Sequence, residues 1–464
     1  ALTVSPHYQE AKPMDLSSIR GGDPLKQKQK PAIEYTAQVA SSFVNGEVKL
    51  TISDNALTVI GLFDAIGIYF VEINSLELTN YVVTVKADSG NYVFSRMGSW
   101  CQPFYDTLCD AYNKAVLRSL FLNGNPILTA KGNYRFTENC VNENGTAPIH
   151  VYENNVTALP PNLFARRVPL CFTTAVDKDE YTLTLRLYTG EAYTYAKLGY
   201  DTAIFVETVE KQIRKLQEKS LIAVKEIDPA LTAVQASQIA KLMPQGAAAP
   251  IGQLAGIAPS FMATLENKIA ATRANESYMT FKELCDSTQI WVGFRKNENV
   301  KDTRDLSGTI SGALGGVSEG LTDCGNPHEG LNKLAIGVVG NKETDTAVPE
   351  PYLLWLIVPS PDGQFAAVEF AETDSATFVY RTGGDFGAFA RQINRALEAI
   401  NFKREVIRMS DEELQKPENV DYYMAAKRTI ALQFVRSNFI GRVIHSNIEN
   451  WKRKLTELWS STQL

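Results

Sequence analysis

The stretch YVFSRMGSWCQPF, residues 92–104, decides the fold, because nearly the same pattern is written three times in the chain. An aromatic strand pattern runs into a basic residue, a glycine and then an amphipathic helix pattern. Its counterparts are YTYAKLGYDTAIF at 193–205 and FVYRTGGDFGAF at 378–389. Counted from Gly98, Gly199 and Gly383, a basic residue lies two positions earlier (Arg96, Lys197, Arg381) and a phenylalanine six later (Phe104, Phe205, Phe389). Leu108 and Tyr112, Val209 and Ile213, and Ile393 and Leu397 continue each helix at four-residue steps, which keeps them on one face. Three matches with identical offsets mark an internal repeat, and its length and low copy number exclude a solenoid.

In two of the copies the strands upstream repeat as well. LTISDNALTVI at 50–60 corresponds to IHVYENNVTAL at 149–159, and YVVTVKADSGNYVFSRMG to YTLTLRLYTGEAYTYAKLG at 181–199. VKLTIS and ALTVIG around Asp54-Asn55 predict one hairpin, and the strands around 88–91 predict another. Ser99 is placed to cap the first helix. The third copy is the most divergent.

Around the repeats the texture changes. Residues 1–31 are polar, with Gly21-Gly22 and alternating lysines at 26–30, and read as a flexible arm. An Ala-rich helical insertion occupies 218–277, with Asp228-Pro229 as the start signal of one helix. Its stretch LMPQGAAAPIGQLAGIAPSFMATL, 242–265, is nearly uncharged but too interrupted by Pro and Gly for a membrane span, so a buried contact is expected. GTISGALGGVSEG, 308–320, reads as a loop within the third repeat. Ser410 and Glu413 form a capping-box signature, followed by a helical pattern from 420 to 459. There Ile444, Ile448, Trp451, Leu455 and Leu458 make a stripe, beside the basic Lys452, Arg453 and Lys454. Seven basic residues against three acidic ones from 420 to 464 give this tail a positive charge suited to an acidic protein surface or an anionic membrane.

Composition bounds the function. A chain of 464 residues suggests about three domains, and 44% hydrophobic with 21% charged residues marks a folded chain. A net charge of −6 argues against a nucleic-acid partner, which needs clustered Lys and Arg. The six cysteines are scattered without a C-x-x-C, as expected of free thiols in a reducing cytoplasmic setting. His7, His150, His328 and His445 lack metal-ligand spacing, and GVVGNKET at 337–344 fails the spacing of a phosphate-binding loop. No catalytic, cofactor or metal residue is assigned, and no small-molecule substrate is identified.

Hairpins closed by one amphipathic C-terminal helix resemble the pleckstrin-homology-like (PH-like) superfold. The resemblance implies an α+β chain of three partly open β-barrels at 32–121, 122–217 and 278–403, each plugged by its helix through Phe104, Phe205 or Phe389. The Ala-rich insertion and a helical tail, 404–464, complete the architecture. Many PH-like domains bind phosphoinositides through a lysine and an Arg-x-Arg on the first strands. Here Lys49 is present, but Asp54-Asn55 and Glu153-Asn154-Asn155 replace the arginines.

Two basic features are candidate contacts. Arg96, Lys197 and Arg381 sit at equivalent corners, where a loop cap or ion pair is the simpler reading than a ligand contact. Arg166-Arg167 reads as an anion site or, more simply, a solvated loop. The expected function is a non-enzymatic scaffold, adaptor or assembly subunit with a protein partner or self-association. The alternatives are a peripheral membrane protein using the basic tail and 242–265, and an enzyme with its site in the irregular 290–345 region.

Overall fold

The computed structural model describes residues 33–122, 124–138, 141–272, 274–296, 352–371 and 376–460. The arm, the Gly-rich 308–320 stretch and most of 290–345 lie outside the described residues. The chain is α+β, with three antiparallel sheets.

The first unit comprises β1 (Glu34–Ala40), β2 (Asn45–Ile52), β3 (Ala56–Ile60), β4 (Ala65–Tyr69), β5 (Ile73–Thr79), β6 (Val82–Ala87) and β7 (Gly90–Ser95). Their order in the sheet is β4-β3-β2-β1-β7-β6-β5. The helix α1 (Cys101–Ser119) follows through a 3-10 turn at Gly98–Trp100. Ser99 lies inside that turn and makes no capping bond, because the backbone has already begun to coil before the first α-helical residue.

The second unit repeats this order with β8 (Leu128–Glu138), β9 (Val141–Val151), β10 (Asn155–Ala158), β11 (Arg166–Pro169), β12 (Thr173–Lys178), β13 (Thr182–Leu187) and β14 (Ala192–Ala196). The sheet runs β11-β10-β9-β8-β14-β13-β12, and α2 (Thr202–Ile227) follows. Even the irregularities match: the register shifts between Ile73 and Ser75 in one unit and between Thr173 and Ala175 in the other. Alternation of buried and exposed residues, as in TLTLRL of β13, explains why both sheets are legible in sequence.

The helical insertion differs in its boundaries from the sequence expectation. Asp228 closes α2, and Thr232 caps α3 (Ala233–Leu242) in a reciprocal capping box with Gln235. α4 (Ile251–Ile257), α5 (Pro259–Ala270) and α6 (Asn275–Leu284) follow. The uncharged segment is interior: Met243, Leu254, Phe261 and Leu265 are buried in one core with Val292, Leu356 and Trp451.

The third sheet has the order β15-β16-β17-β18-β19-β20, with β15 (Ala249–Pro250), β16 (Trp291–Lys296), β17 (Tyr352–Pro359), β18 (Phe365–Phe370), β19 (Ala376–Arg381) and β20 (Phe439–Ile444). The helix α7 (Phe386–Ala399) follows β19, and Asp385 caps it by accepting from the Ala388 amide at 2.8 Å. Both faces of this sheet are covered. Leu354, Leu356 and Val358 face the insertion core, while Trp355, Ile357 and Phe378 face α7. Strands buried on both faces lose polar alternation, so YLLWLIVP of β17 reads as a continuous apolar run.

The C-terminal segment is not one helix. α8 (Asp411–Leu414), α9 (Val420–Arg428) and α10 (Ile430–Ser437) precede β20, and α11 (Ile448–Ser460) ends the described chain. The segment FIGRVI, rich in β-branched residues and containing Gly441, pairs with β19 and covers an edge that would otherwise expose unpaired backbone groups.

Candidate interaction site

The repeated corner is a backbone device. Arg96 and Lys197 adopt left-handed φ of 59° and 55°, and Gly98 and Gly199 follow at 57° and 64°. Between them Met97 and Leu198 are buried, so the corner turns the chain while pinning one apolar side chain under the helix. Arg381 differs: it ends β19, and the positive φ falls on Gly383 and Gly384. The three basic side chains are exposed, each on its own unit, and do not form one site.

The helix plugs are fully buried. Phe104 meets Tyr35 and Phe94 edge-on, Phe205 meets Tyr195, and Phe389 lies 5.7 Å from Tyr380 between ring centroids.

The C-terminal stripe faces inward. Trp451 and Leu455 are buried in the chain's own core, and the Trp451 indole N–H donates to Thr377 Oγ1 at 3.0 Å. Ile448 and Leu458 pack against the same core, whereas Ile444 belongs to β20 and is exposed. Lys452 reaches Glu283 at 3.4 Å, Arg453 pairs with Glu457 one turn on, and Lys454 is exposed. As a surface for another helix, the stripe is already occupied by the chain itself.

Arg166-Arg167 is neither a solvated loop nor an open anion site. Both are buried on β11 within a balanced network of three arginines and three glutamates joining the second and third units. Arg166 Nε donates to Glu138 Oε2 at 2.6 Å, and the Tyr193 hydroxyl donates to Glu138 Oε1. Arg395 of α7 bridges Glu191 at 3.2 Å and Glu398 at 3.3 Å, and donates to the Arg167 carbonyl at 2.9 Å. Arg167 Nη2 lies 2.9 Å from Glu398 Oε1. Burial pushes the Glu191 carboxyl and the Tyr193 hydroxyl upward, and the nearby Arg395 opposes both shifts. The only sequence signal for this network is a charged pair between the apolar Phe164-Ala165 and Val168.

Unit two also straps unit one. The segment 159–165 leaves β10 and meets the outer edge of β5 through one antiparallel bridge, Ser75–Asn162. The Leu76 amide donates to the Pro161 carbonyl at 2.8 Å, and the Leu163 amide donates to the Asn74 carbonyl at 3.2 Å. Tyr112 of α1 donates to the Asn162 carbonyl at 3.0 Å, and Leu159 and Ala165 are buried in the first unit's core.

The tail anchors to the same unit. Buried Arg428 donates to the Tyr112 hydroxyl at 2.8 Å, and Lys427 Nζ meets Asp88 Oδ2 at 2.7 Å. Beside this pair, burial and the charge of Asp88 push the Glu72 carboxyl up to about 7, against the pull of Lys427.

Open surfaces remain among the described residues. At the tip of unit one, Phe43, Leu62 and Phe63 are 56%, 86% and 91% exposed in the β1–β2 and β3–β4 turns. A cleft of about 770 Å³ lies between the units, with Arg167, Lys219, Glu226, Arg295 and Lys296 in its wall. Lys296 stands 3.7 Å from Glu226 and Arg295 donates to Asn401, so the wall is largely self-paired. Among the described residues no cluster of metal-ligating side chains occurs, and no helix is long and apolar enough to cross a membrane. Comparison of the sequence with protein-family models and with curated proteins found no match.

Proposed function

We propose that the chain is a non-enzymatic protein-interaction scaffold or assembly subunit, whose first two units are PH-like domains and whose 278–403 region is a divergent third. In the third, β17-β18-β19 and α7 follow one another as β5-β6-β7 and α1 do, and β20 stands beside β19 where β1 stands beside β7. The observation that carries the functional reading is the apolar tip of Phe43, Leu62 and Phe63, held on a unit locked to its neighbours by buried polar contacts. Exposed large apolar residues gathered at one end of a unit mark interaction surfaces. The tip turns carry Asp64 and no Lys or Arg within 41–47 or 60–66, which favours a protein pocket over an anionic bilayer. Burial of Trp451, Leu455 and the 242–265 segment likewise leaves little apolar surface there for a membrane.

A photo-reactive residue at position 63 tests the reading in the cells that make the protein. A discrete protein adduct, lost in Leu62→Ser, is expected. Adducts with lipid alone, or none above background, would contradict it.

A further inference from the structure

We propose that the outer edge of β4 receives an extended apolar segment of a partner protein, carrying Lys or Arg, as one more strand on the first unit. This rests on the scaffold reading and states how a partner engages the tip named there.

The hairpin that makes this edge also sets which groups it exposes. The Gly61 amide donates to the Asp64 carbonyl at 2.8 Å, and the Phe70 amide to the Asn55 carbonyl at 2.9 Å. Between these closures the register of Ala56–Ile60 with Ala65–Tyr69 is unbroken. Successive strand residues point their backbone groups to opposite sides. Asp64, Ile66, Ile68 and Phe70 therefore bond to β3, while Ala65, Gly67 and Tyr69 point outward. β4 is the last strand of its sheet, and among the described residues no hydrogen bond reaches those three amides. Ala65 and Gly67 are exposed. The chain covers the matching edge of unit two. There β11 holds the place of β4, all four of its residues are buried, and Arg395 of α7 donates to the Arg167 carbonyl at 2.9 Å. β4 also lacks lysine, proline and a bulge, the devices that keep an edge from pairing. Unpaired edge N–H and C=O groups are a template for strand addition.

The surroundings select the partner. Leu62 and Phe63, 86% and 91% exposed, form the turn that leads into β4 and offer apolar contact beside its first outward amide. The charged side chains of 41–72 are Glu47, Lys49, Asp54, Asp64 and Glu72. Lys49 pairs with Glu34 at 3.2 Å. Arg118 of α1 reaches the β2–β3 turn, but it donates to Asn55 at 2.6 Å and lies 3.9 Å from Asp421. Lys427 of α9 meets Asp88 at 2.7 Å, beside Glu72. Among the described residues Glu47, Asp54 and Asp64 have no ion pair. The charges left over are thus acidic. Complementarity points to Lys or Arg on the incoming strand and disfavours a second copy of the same edge.

The test uses the full chain and the fluorescein-labelled synthetic peptide KVTVIVK, with EVTVIVE as its acidic counterpart. Saturable anisotropy is expected for the lysine peptide, with amide exchange slowed in alternation at 65, 67 and 69. Gly67→Pro removes an outward donor at an edge position that tolerates proline, and should weaken binding about tenfold, as loss of one backbone bond implies. Gly67→Ala keeps the donor, and its Cβ meets the Tyr69 ring at 3.6 Å, an ordinary contact, so it should bind as the wild type does. The glutamate peptide should bind more weakly than the lysine peptide. Absence of saturable binding, equal binding by Gly67→Pro and wild type, or equal binding of the two peptides would overturn the proposal. So would a wild-type dimer that Gly67→Pro dissociates, or tighter binding by a chain lacking residues 1–31, since a second copy or the chain's own arm would then fill the edge. The two peptides are compared on the wild type, which keeps the proposal falsifiable if the proline variant fails to fold. Cross-linking at position 63 reports contact of any kind. A Leu62-dependent adduct without these edge effects would overturn this proposal and leave the scaffold reading standing.

Discussion

Arg167 and Glu398 stand 2.9 Å apart on strand and helix of different units, and the same guanidinium reaches two helix ends. Its Nη1 donates to the Leu120 carbonyl at 3.4 Å, at the end of α1, and to the Glu398 carbonyl at 3.2 Å, at the end of α7. One cation from unit two thus closes helices of units one and three, where the peptide dipoles leave partial negative charge.

Arg167→Met leaves Glu398 buried with Arg395 as its remaining partner and strips two helix ends of a donor. Breaking a buried pair from one side costs about 3–5 kcal/mol. Urea unfolding of Arg167→Met should shift to lower denaturant by that amount. Arg167→Lys should recover only part of it, because one ammonium lacks the fork that reaches several acceptors.

The strap predicts coupling between units one and two. Leu159→Ala empties a buried site in the first unit's core although the residue belongs to the second, at a cost of about 2–5 kcal/mol. Limited proteolysis should then cut near 121–127 faster than in the wild type. An unchanged cleavage rate would deny the strap its role.

Glu72 gives a pH dependence with a definite sign. Its folded pKa of about 7 lies above the ordinary carboxyl value of 4.5, so the folded state holds the proton more tightly than the unfolded one. Stability from this group is present below about 4.5 and is lost as pH rises through about 7. Hydrogen exchange across 420–428 should quicken between those limits, and Glu72→Gln should flatten that response.

Gly246 has φ of +78°, and a Cβ there would lie 1.5 Å from the Phe294 carbonyl oxygen. Gly246→Ala therefore meets backbone rather than a yielding side chain, and should lower thermal stability more than Gly256→Ala, where nothing lies within 4 Å. Equal melting temperatures would contradict that close approach.

The parts legible in sequence are those with local causes. The corner of Arg96, Met97 and Gly98 recurs because one left-handed turn before a helix demands it, and the alternation in β6 and β13 shows one-sided sheets. The third sheet hides because helices cover both faces and erase the alternation. β20 was expected as helix because its apolar spacing fits either period, and only the edge of β19 chooses the strand. The Arg166–Arg167 network is illegible for a different reason. Its partners lie from 28 residues away, at Glu138, to 231, at Glu398, and only the packing of three units brings them together.

The central claim is that three β-units form one rigid platform. Spin labels at the exposed positions 62 and 181, on units one and two, measure it directly by pulsed electron–electron distance. A single narrow distance in the wild-type chain, broadened by Leu159→Ala, is predicted. A broad or multiple distribution in the wild type would contradict the account.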